Sequence, residues 1–360
     1  MKPYEHGGNV YADGVYNSAV IDFSANINPL GISKSIEKAI IDNMKSLVHY
    51  PDPSGFKLKQ VISVNYGIKE ENIILGNGAA ELMYIFFHSE RPKRVLIPVP
   101  SFSEYERAAR AAGGRVEYMY MTKERDFSLD IDELMRLLPE FDVVILGNPN
   151  NPTGTLLSRT DIIHMLDMAA ESGTTMLVDE SFLDFLPDSN QYSVIELAES
   201  YDNLFVIRSM TKFFAIPGLR LGFGAANQRL INSMEKEKDP WNVNLLAQVA
   251  GVAALADEGY KANSRNVLSK SIREMYELLK RESQLTVYEP TVNFILVSVE
   301  KSGFTSEELV KELRQRGFLA RDCSNYPGMD EFHVRFAVRL HEDNVKLINA
   351  VKNILQKHRG

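Results

Sequence analysis

From about residue 68 to 226 the chain alternates short apolar runs with longer amphipathic stretches. The runs at 94–98, 143–146, 175–178 and 204–207 are rich in Val, Ile, Leu, Met and Phe. Near-continuous apolar runs of this length read as strands buried on both faces. Between them, 101–112 and 160–172 carry helical patterns. Strand, helix, strand at this spacing predicts an α/β fold with a mostly parallel, doubly wound sheet. Such sheets bind ligands beyond the carboxyl ends of their strands. Asn148, Asp179 and Ser209 fall there.

The texture changes after Asn227. Residues 228–282 are almost all helical in pattern, with a break at Asp239-Pro240-Trp241, where proline lacks a donor N–H. Strands are expected at 294–299, 318–321 and 332–338, and amphipathic helices at 306–316 and 344–357. This pattern predicts a smaller α+β domain. The first 30 residues form a polar arm rich in Gly and Asn, with one strand-like run at 20–23. The expected division is an arm (1–30) packing on the small domain or the active site, a large domain (31–235) and a small domain (236–360).

Composition narrows the function. A chain of 360 residues suits two domains, and 44% apolar with 24% charged residues is ordinary for a globular protein. A net charge of −8 offers no electrostatic case for nucleic acid or an anionic membrane. Cys323 is the sole cysteine, so no intramolecular disulfide forms and no oxidising compartment is required. Seven scattered histidines and one cysteine give no metal site of the usual kinds. No apolar stretch approaches the roughly 20 residues needed to span a bilayer. Residues 1–8 lack the apolar core of a signal peptide, so a cytoplasmic location is expected.

Four segments carry chemistry. In 209–222, Lys212 follows a buried strand, hydroxyls flank it at Ser209 and Thr211, and Arg220 comes eight residues later between glycines. Hydroxyls and a fork-shaped guanidinium make a phosphate cradle. A lysine beside such a cradle suits an aldehyde cofactor with a phosphate handle. Gly76-Asn77-Gly78-Ala79-Ala80-Glu81 follows a strand-like run and opens a helix, where backbone N–H groups face an anion. It lacks the third glycine of the dinucleotide pattern. The 148–154 segment (Asn-Pro-Asn-Asn-Pro-Thr-Gly) is a turn former at a strand's carboxyl end. Asp179 ends a buried strand, where an acid needs a partner, and a protonated pyridine nitrogen is one.

In this order, the four segments resemble the fold-type I, aspartate aminotransferase-like pyridoxal-phosphate enzymes over essentially the whole chain. The resemblance implies that Lys212 carries the cofactor covalently and shuttles protons. It implies that Asp179 pairs with the ring nitrogen and Asn151 with the ring hydroxyl. Ser209, Arg220 and the backbone of Gly78, Ala79 and Ala80 would hold the cofactor phosphate. Phe102 would stack on the ring. Tyr50, in His49-Tyr50-Pro51, resembles the tyrosine that reaches a neighbouring subunit's phosphate, which implies a homodimer. Plain core packing is the alternative for Phe102 and Tyr50. Many relatives have tyrosine where Phe182 stands, so the ring oxygen would lose one hydroxyl contact. Arg335, in Val334-Arg335-Phe336, resembles the arginine that grips the substrate carboxylate. Arg339, four residues on, reads as structural or solvated.

The chain is most similar to the histidinol-phosphate aminotransferase branch. Within it, His6-Gly7-Gly8-Asn9, the 22–31 segment, 207–218, Pro240-Trp241-Asn242-Val243-Asn244 and the 321–328 segment resemble the threonine-phosphate decarboxylases of cobalamin biosynthesis. Phe182 fits that subgroup as well. The implied reaction is loss of CO2 from L-threonine O-3-phosphate. Candidates for the substrate phosphate are His6, the backbone of Gly7 and Gly8, Asn26 and Arg321. For His6 a solvated arm histidine is the alternative. Two other reactions remain open: transamination of histidinol phosphate or a related amino acid, and decarboxylation of L-serine O-phosphate. One methyl group is worth only roughly 1–3 kcal/mol in an apolar pocket.

Overall fold

The computed structural model describes residues 6–12, 15–16 and 19–357. The arm contains a short antiparallel hairpin, β1 (Tyr11–Ala12) with β2 (Val15–Tyr16), and then β3 (Ile21–Asp22). Helices α1 (Lys34–Asn43) and α2 (Phe56–Tyr66) lead into the large sheet. Its seven strands are β4 (Ile73–Gly76), β5 (Arg94–Val99), β6 (Arg115–Tyr120), β7 (Val143–Gly147), β8 (Thr175–Asp179), β9 (Leu204–Ser209) and β10 (Gly222–Ala226). Their order is β4-β10-β9-β8-β7-β5-β6. β10 alone runs opposite to the other six strands. Crossover helices include α3 (Ala79–Glu90), α4 (Glu104–Ala111), α5 (Ile131–Leu137) and α6 (Arg159–Ser172). The expected class and the four expected strands are therefore present.

Both faces of this sheet are covered. Alternate residues point to opposite sides, as strand geometry requires. Val144, Leu146, Met176 and Val178 enter one core, while Val143, Ile145, Leu177 and Ile207 enter the other. That double burial explains why the runs read as continuous rather than alternating.

The remaining helices are α7 (Met210–Phe213), α8 (Gln228–Glu235), α9 (Leu245–Ala256), α10 (Glu258–Lys280), α11 (Ser306–Gln315) and α12 (His341–Lys357). A second sheet comprises β11 (Thr286–Val287), β12 (Phe294–Ser298), β14 (Arg321–Asp322) and β15 (His333–Ala337), in the order β11-β12-β15-β14, all antiparallel. The short β13 (Phe318–Leu319) pairs in parallel with β3. Phe23, next to β3, is buried in the small domain's core with Phe318 and Phe336. The arm thus docks on the small domain through backbone pairing and one aromatic anchor.

The expected boundary at 235/236 needs correction. Val243, Ala247, Ala250 and Ala254, on and before α9, lie in the large domain's core. An added Cβ at Gly251 would lie 2.7 Å from Leu221 and 2.9 Å from Leu58, so α9 is seated closely on the large domain. Along α10, Leu268 still belongs to that core, whereas Met275 and Leu279 belong to the small one. The change of domain therefore falls within α10. Helical texture alone does not reveal which sheet a helix covers.

Candidate active site

A cavity of about 470 Å³ opens at the carboxyl ends of β7, β8 and β9. Lining residues come from the arm, the large domain and the small domain. Of the residues expected from sequence, His6, Gly7, Asn26, Ala79, Ala80, Phe102, Asn151, Asp179, Ser209, Lys212, Arg220, Arg321 and Arg335 line it. Gly8, Gly78 and Tyr50 do not.

The phosphate cradle follows from sheet topology. Because β10 is antiparallel, its first residue, Gly222, pairs with both Gly76 at the end of β4 and Ser209 at the end of β9. That register brings Arg220 to the N-terminus of α3. A Cβ on Gly78 would lie 2.4 Å from Arg220 Nη2, and one on Gly222 only 2.5 Å from the Ala79 backbone nitrogen. Gly78 also has φ +82, a conformation that suits glycine. Arg220 has no ion pair among the described residues. Ser209 Oγ and Thr211 Oγ1 lie 2.7 Å apart beside it. A helix N-terminus, two hydroxyls and a guanidinium together suit a phosphate.

Asp179 is buried at the end of β8. Tyr105 donates to its Oδ2 at 2.9 Å, and the Ser181 backbone N–H donates to its Oδ1 at 2.9 Å. Burial, then Asp179, push the Tyr105 phenol well above its ordinary range, so it remains a donor. Lys212 faces the same cavity, with Nζ 4.5 Å from the Phe182 ring centroid. Its pKa is lowered to about 8, chiefly by burial; Asp179 opposes the shift, while Arg220 and Arg335 add to it. A buried amine of this kind reaches its neutral, nucleophilic form near physiological pH.

Arg321 and Arg335 stand directly opposite each other across β14 and β15, both buried. Opposed residues on an antiparallel pair share a face. Arg335 donates to Asn151 Oδ1 and, at 2.6 Å, to the Ser24 carbonyl. Arg321 donates to the Asp322 carbonyl at 2.6 Å and to Asn325 Oδ1 at 2.8 Å, with its guanidinium over Tyr326. Neither has a carboxylate partner among the described residues. Arg339 lies beyond the end of β15, pairs with Asp343 at 3.2 Å and donates to the Asp22 carbonyl, consistent with a structural role.

The arm's histidine is not loose. His6 Nε2 meets Glu104 Oε1 at 2.9 Å, and its ring centroid is 5.7 Å from that of Phe102. The hydrogen bond from His6 is the largest influence on Glu104, whose carboxyl lies below its ordinary value. The expected anion-binding turn is only partly available. The Gly8 N–H donates to Ser24 Oγ at 2.7 Å, and a Cβ on Gly7 would run into the Ser24 carbonyl at 2.2 Å. Tyr50 is exposed and stacks on Trp241 with centroids 4.5 Å apart.

Tyr105, Glu104 and Ser181 were not singled out from sequence. Tyr105 and Glu104 lie within the 100–105 segment, and Ser181 is two residues after Asp179. Only their through-space contacts mark them. Buried polar atoms without a partner are informative. Among the described residues they are Asn26 Oδ1, Ser181 Oγ, Arg335 Nε and Asn293 Oδ1, and the first three belong to residues lining the cavity. Together with the glycine-lined cradle, they fit a ring-shaped ligand carrying a phosphate.

Residues 18–351 match the family model for class I and II aminotransferases. The chain belongs to that family. Among its aminotransferase-family relatives, a putative threonine-phosphate decarboxylase from Caldanaerobacter subterraneus is 40% identical over 99% of this chain and 95% of its own. The threonine-phosphate decarboxylase of Salmonella typhimurium is 33% identical, over 97% of this chain and 96% of its own. Among solved structures, the histidinol-phosphate aminotransferase from Clostridium acetobutylicum superposes with a TM-score of 0.88 at 34% identity, covering 94% of this chain and all of that one. Among the described residues no helix is long and apolar enough to cross a membrane, and no cluster of His, Cys, Asp and Glu could hold a metal ion.

Proposed function

We propose that the protein is a cytoplasmic, homodimeric, pyridoxal 5'-phosphate-dependent carboxy-lyase. Its substrate would be L-threonine O-3-phosphate and its product (R)-1-amino-2-propanol O-2-phosphate, within cobalamin biosynthesis. The observation that carries this reading is the opposed pair Arg321 and Arg335, buried with no counter-ion among the described residues. Like charges facing each other across a strand pair are destabilising until an anion joins them. A substrate with a carboxylate and a phosphate brings two such anions. The names of the two decarboxylase relatives point the same way.

Ser209, Thr211, Arg220 and the N-terminus of α3 would hold the cofactor phosphate, and Asp179 the ring nitrogen. Once bound through Lys212, the cofactor supplies an electron sink for the bond pair left on Cα when the carboxylate departs. Tyr105 and the Ser181 N–H orient Asp179 by donating to its two carboxylate oxygens. Lys212, with its pKa lowered to about 8, can lose and regain a proton near neutral pH, so it would tether the cofactor and, once the substrate amine has displaced it, supply the proton taken up at Cα. Arg335 and Arg321 fix rotation about the N–Cα bond by anchoring the substrate at two points. That rotation decides whether CO2 or a proton leaves. On the exposed face of α1 and the following turn, Tyr50 and Val48 would meet the second subunit.

The test is holoenzyme with L-threonine O-3-phosphate and no keto acid. Sustained CO2 release supports the reading. A single half-turnover that resumes only with 2-oxoglutarate would identify an aminotransferase instead. Comparing kcat/KM for the threonine and serine phosphates sets the substrate.

A further inference from the structure

Ser181 is 4% exposed and lines the cavity, yet its hydroxyl is closed off with no hydrogen-bond partner among the described residues. Burying a hydroxyl without a partner destabilises a fold. An alanine would fill nearly the same space without that cost. The residue is also rigidly held. Its backbone N–H is committed to Asp179 Oδ1, and the next side chain, Phe182, packs edge-on against Phe294 at 5.1 Å. The Phe182 ring faces Lys212 Nζ. Along the chain, Ser181 therefore stands between the carboxylate and the ring that faces the reactive amine.

We infer that the Ser181 side chain, whose Oγ is closed off in the free protein, turns about its Cα–Cβ bond and makes a hydrogen bond to the cofactor held between Asp179 and Lys212. The inference rests on the pyridoxal 5'-phosphate reading above, in which the ring spans the interval from Asp179 to Lys212. Phe182 has no hydroxyl to offer on this wall of the cavity, and a turned Ser181 would bring one. Ser181 is thus a cofactor contact in addition to those expected from sequence, and its cost in the free protein is offset when the cofactor enters. The orphan atoms of Asn26 and Arg335 belong to residues assigned to substrate, and Asn293 does not line the cavity.

The experiment compares wild type, Ser181→Ala and Ser181→Cys, each as apoprotein and after addition of pyridoxal 5'-phosphate. It reads the melting temperature, the cofactor dissociation constant and the pH titration of the visible band. Ser181→Ala apoprotein should melt at or above wild type, because an unsatisfied hydroxyl has gone. Its cofactor-induced rise in melting temperature should shrink, and its dissociation constant should increase by about fivefold or more, the worth of one net hydrogen bond. The titration midpoint should move, with Ser181→Cys lying between the two. If Ser181→Ala destabilises the apoprotein while cofactor affinity and spectrum match wild type, the hydroxyl is structural and the inference fails alone. If wild type forms no visible band that borohydride bleaches, the cofactor reading itself fails and takes the inference with it.

Discussion

Lys212 is a cation in a place that disfavours cations. Burial and two arginines push its pKa down to about 8, against the pull of Asp179. The folded-state value is depressed, so the protonated form dominates below about 8 and the free amine above it. Only the amine attacks an aldehyde. The rate of cofactor capture by apoprotein should therefore rise with pH through about 8 and level off beyond, as stopped-flow absorbance would record; a midpoint near 10 would contradict this. Lys212→Ala should leave no adduct that borohydride can trap. At the same scale, Gly222 permits the backbone approach on which the cradle depends. Gly222→Ala forces a methyl group against the Ala79 nitrogen, and overpacking of that kind costs about 1–3 kcal/mol. Denaturant unfolding should show that loss, and cofactor should wash out more readily on dialysis. Lys212, Asp179 and Arg220 were legible in the sequence because each sits in a short motif. Tyr105 and Glu104 were not. Their significance lies in contacts with Asp179 and His6, 74 and 98 residues away.

Strand register does the work of assembly. The single antiparallel strand β10 carries Arg220 and Gly222 to the edge where the parallel strands end. In the small domain, the pairing of β14 with β15 sets Arg321 against Arg335. If their mutual repulsion awaits an anionic substrate, Arg321→Gln apoprotein should be no less stable than wild type. Its kcat/KM for L-threonine O-3-phosphate should nevertheless fall by about 30-fold or more, the lower end of the 2–5 kcal/mol typical of a buried charged contact. Steady-state kinetics checks this, and unphosphorylated L-threonine should show a much smaller loss. Alternation along a strand would set Arg339, four residues on, on Arg335's face only if the strand continued. It stops at Ala337. The arm shows the same limit. Its β3 run was visible as a short apolar patch, whereas parallel pairing with β13, nearly 300 residues away, follows from the fold.

For the molecule as a whole, apolar side chains remain uncovered on one side. Ile41, Leu47, Val48 and Tyr50 are more than half exposed, with Val48 at 81% and Tyr50 at 77%, and Trp241 stacks on Tyr50. Clustered exposure of this kind marks an interaction surface. If the protein dimerises through this surface as proposed, Val48→Asp should shift it toward monomers in analytical ultracentrifugation. Activity should then depend on protein concentration, since Tyr50 is proposed to complete the partner's phosphate site. A Val48→Asp protein that sediments as wild type would argue for another interface.

By itself the sequence determined the fold class and family, and it pointed to most of the residues that line the cavity. Buried parallel strands write their own apolar signature, and phosphate cradles and reactive lysines need fixed residue types at short spacing. The tertiary structure decided what depends on distance through space. It placed α9 on the large domain, committed Gly8 to Ser24, and set Arg321 opposite Arg335. It also left the Ser181 hydroxyl buried without a partner among the described residues. The physical reason is that local patterns record what a residue's neighbours along the chain demand. A counter-charge, an unpaired hydroxyl or a shared core is defined by groups that meet only after folding.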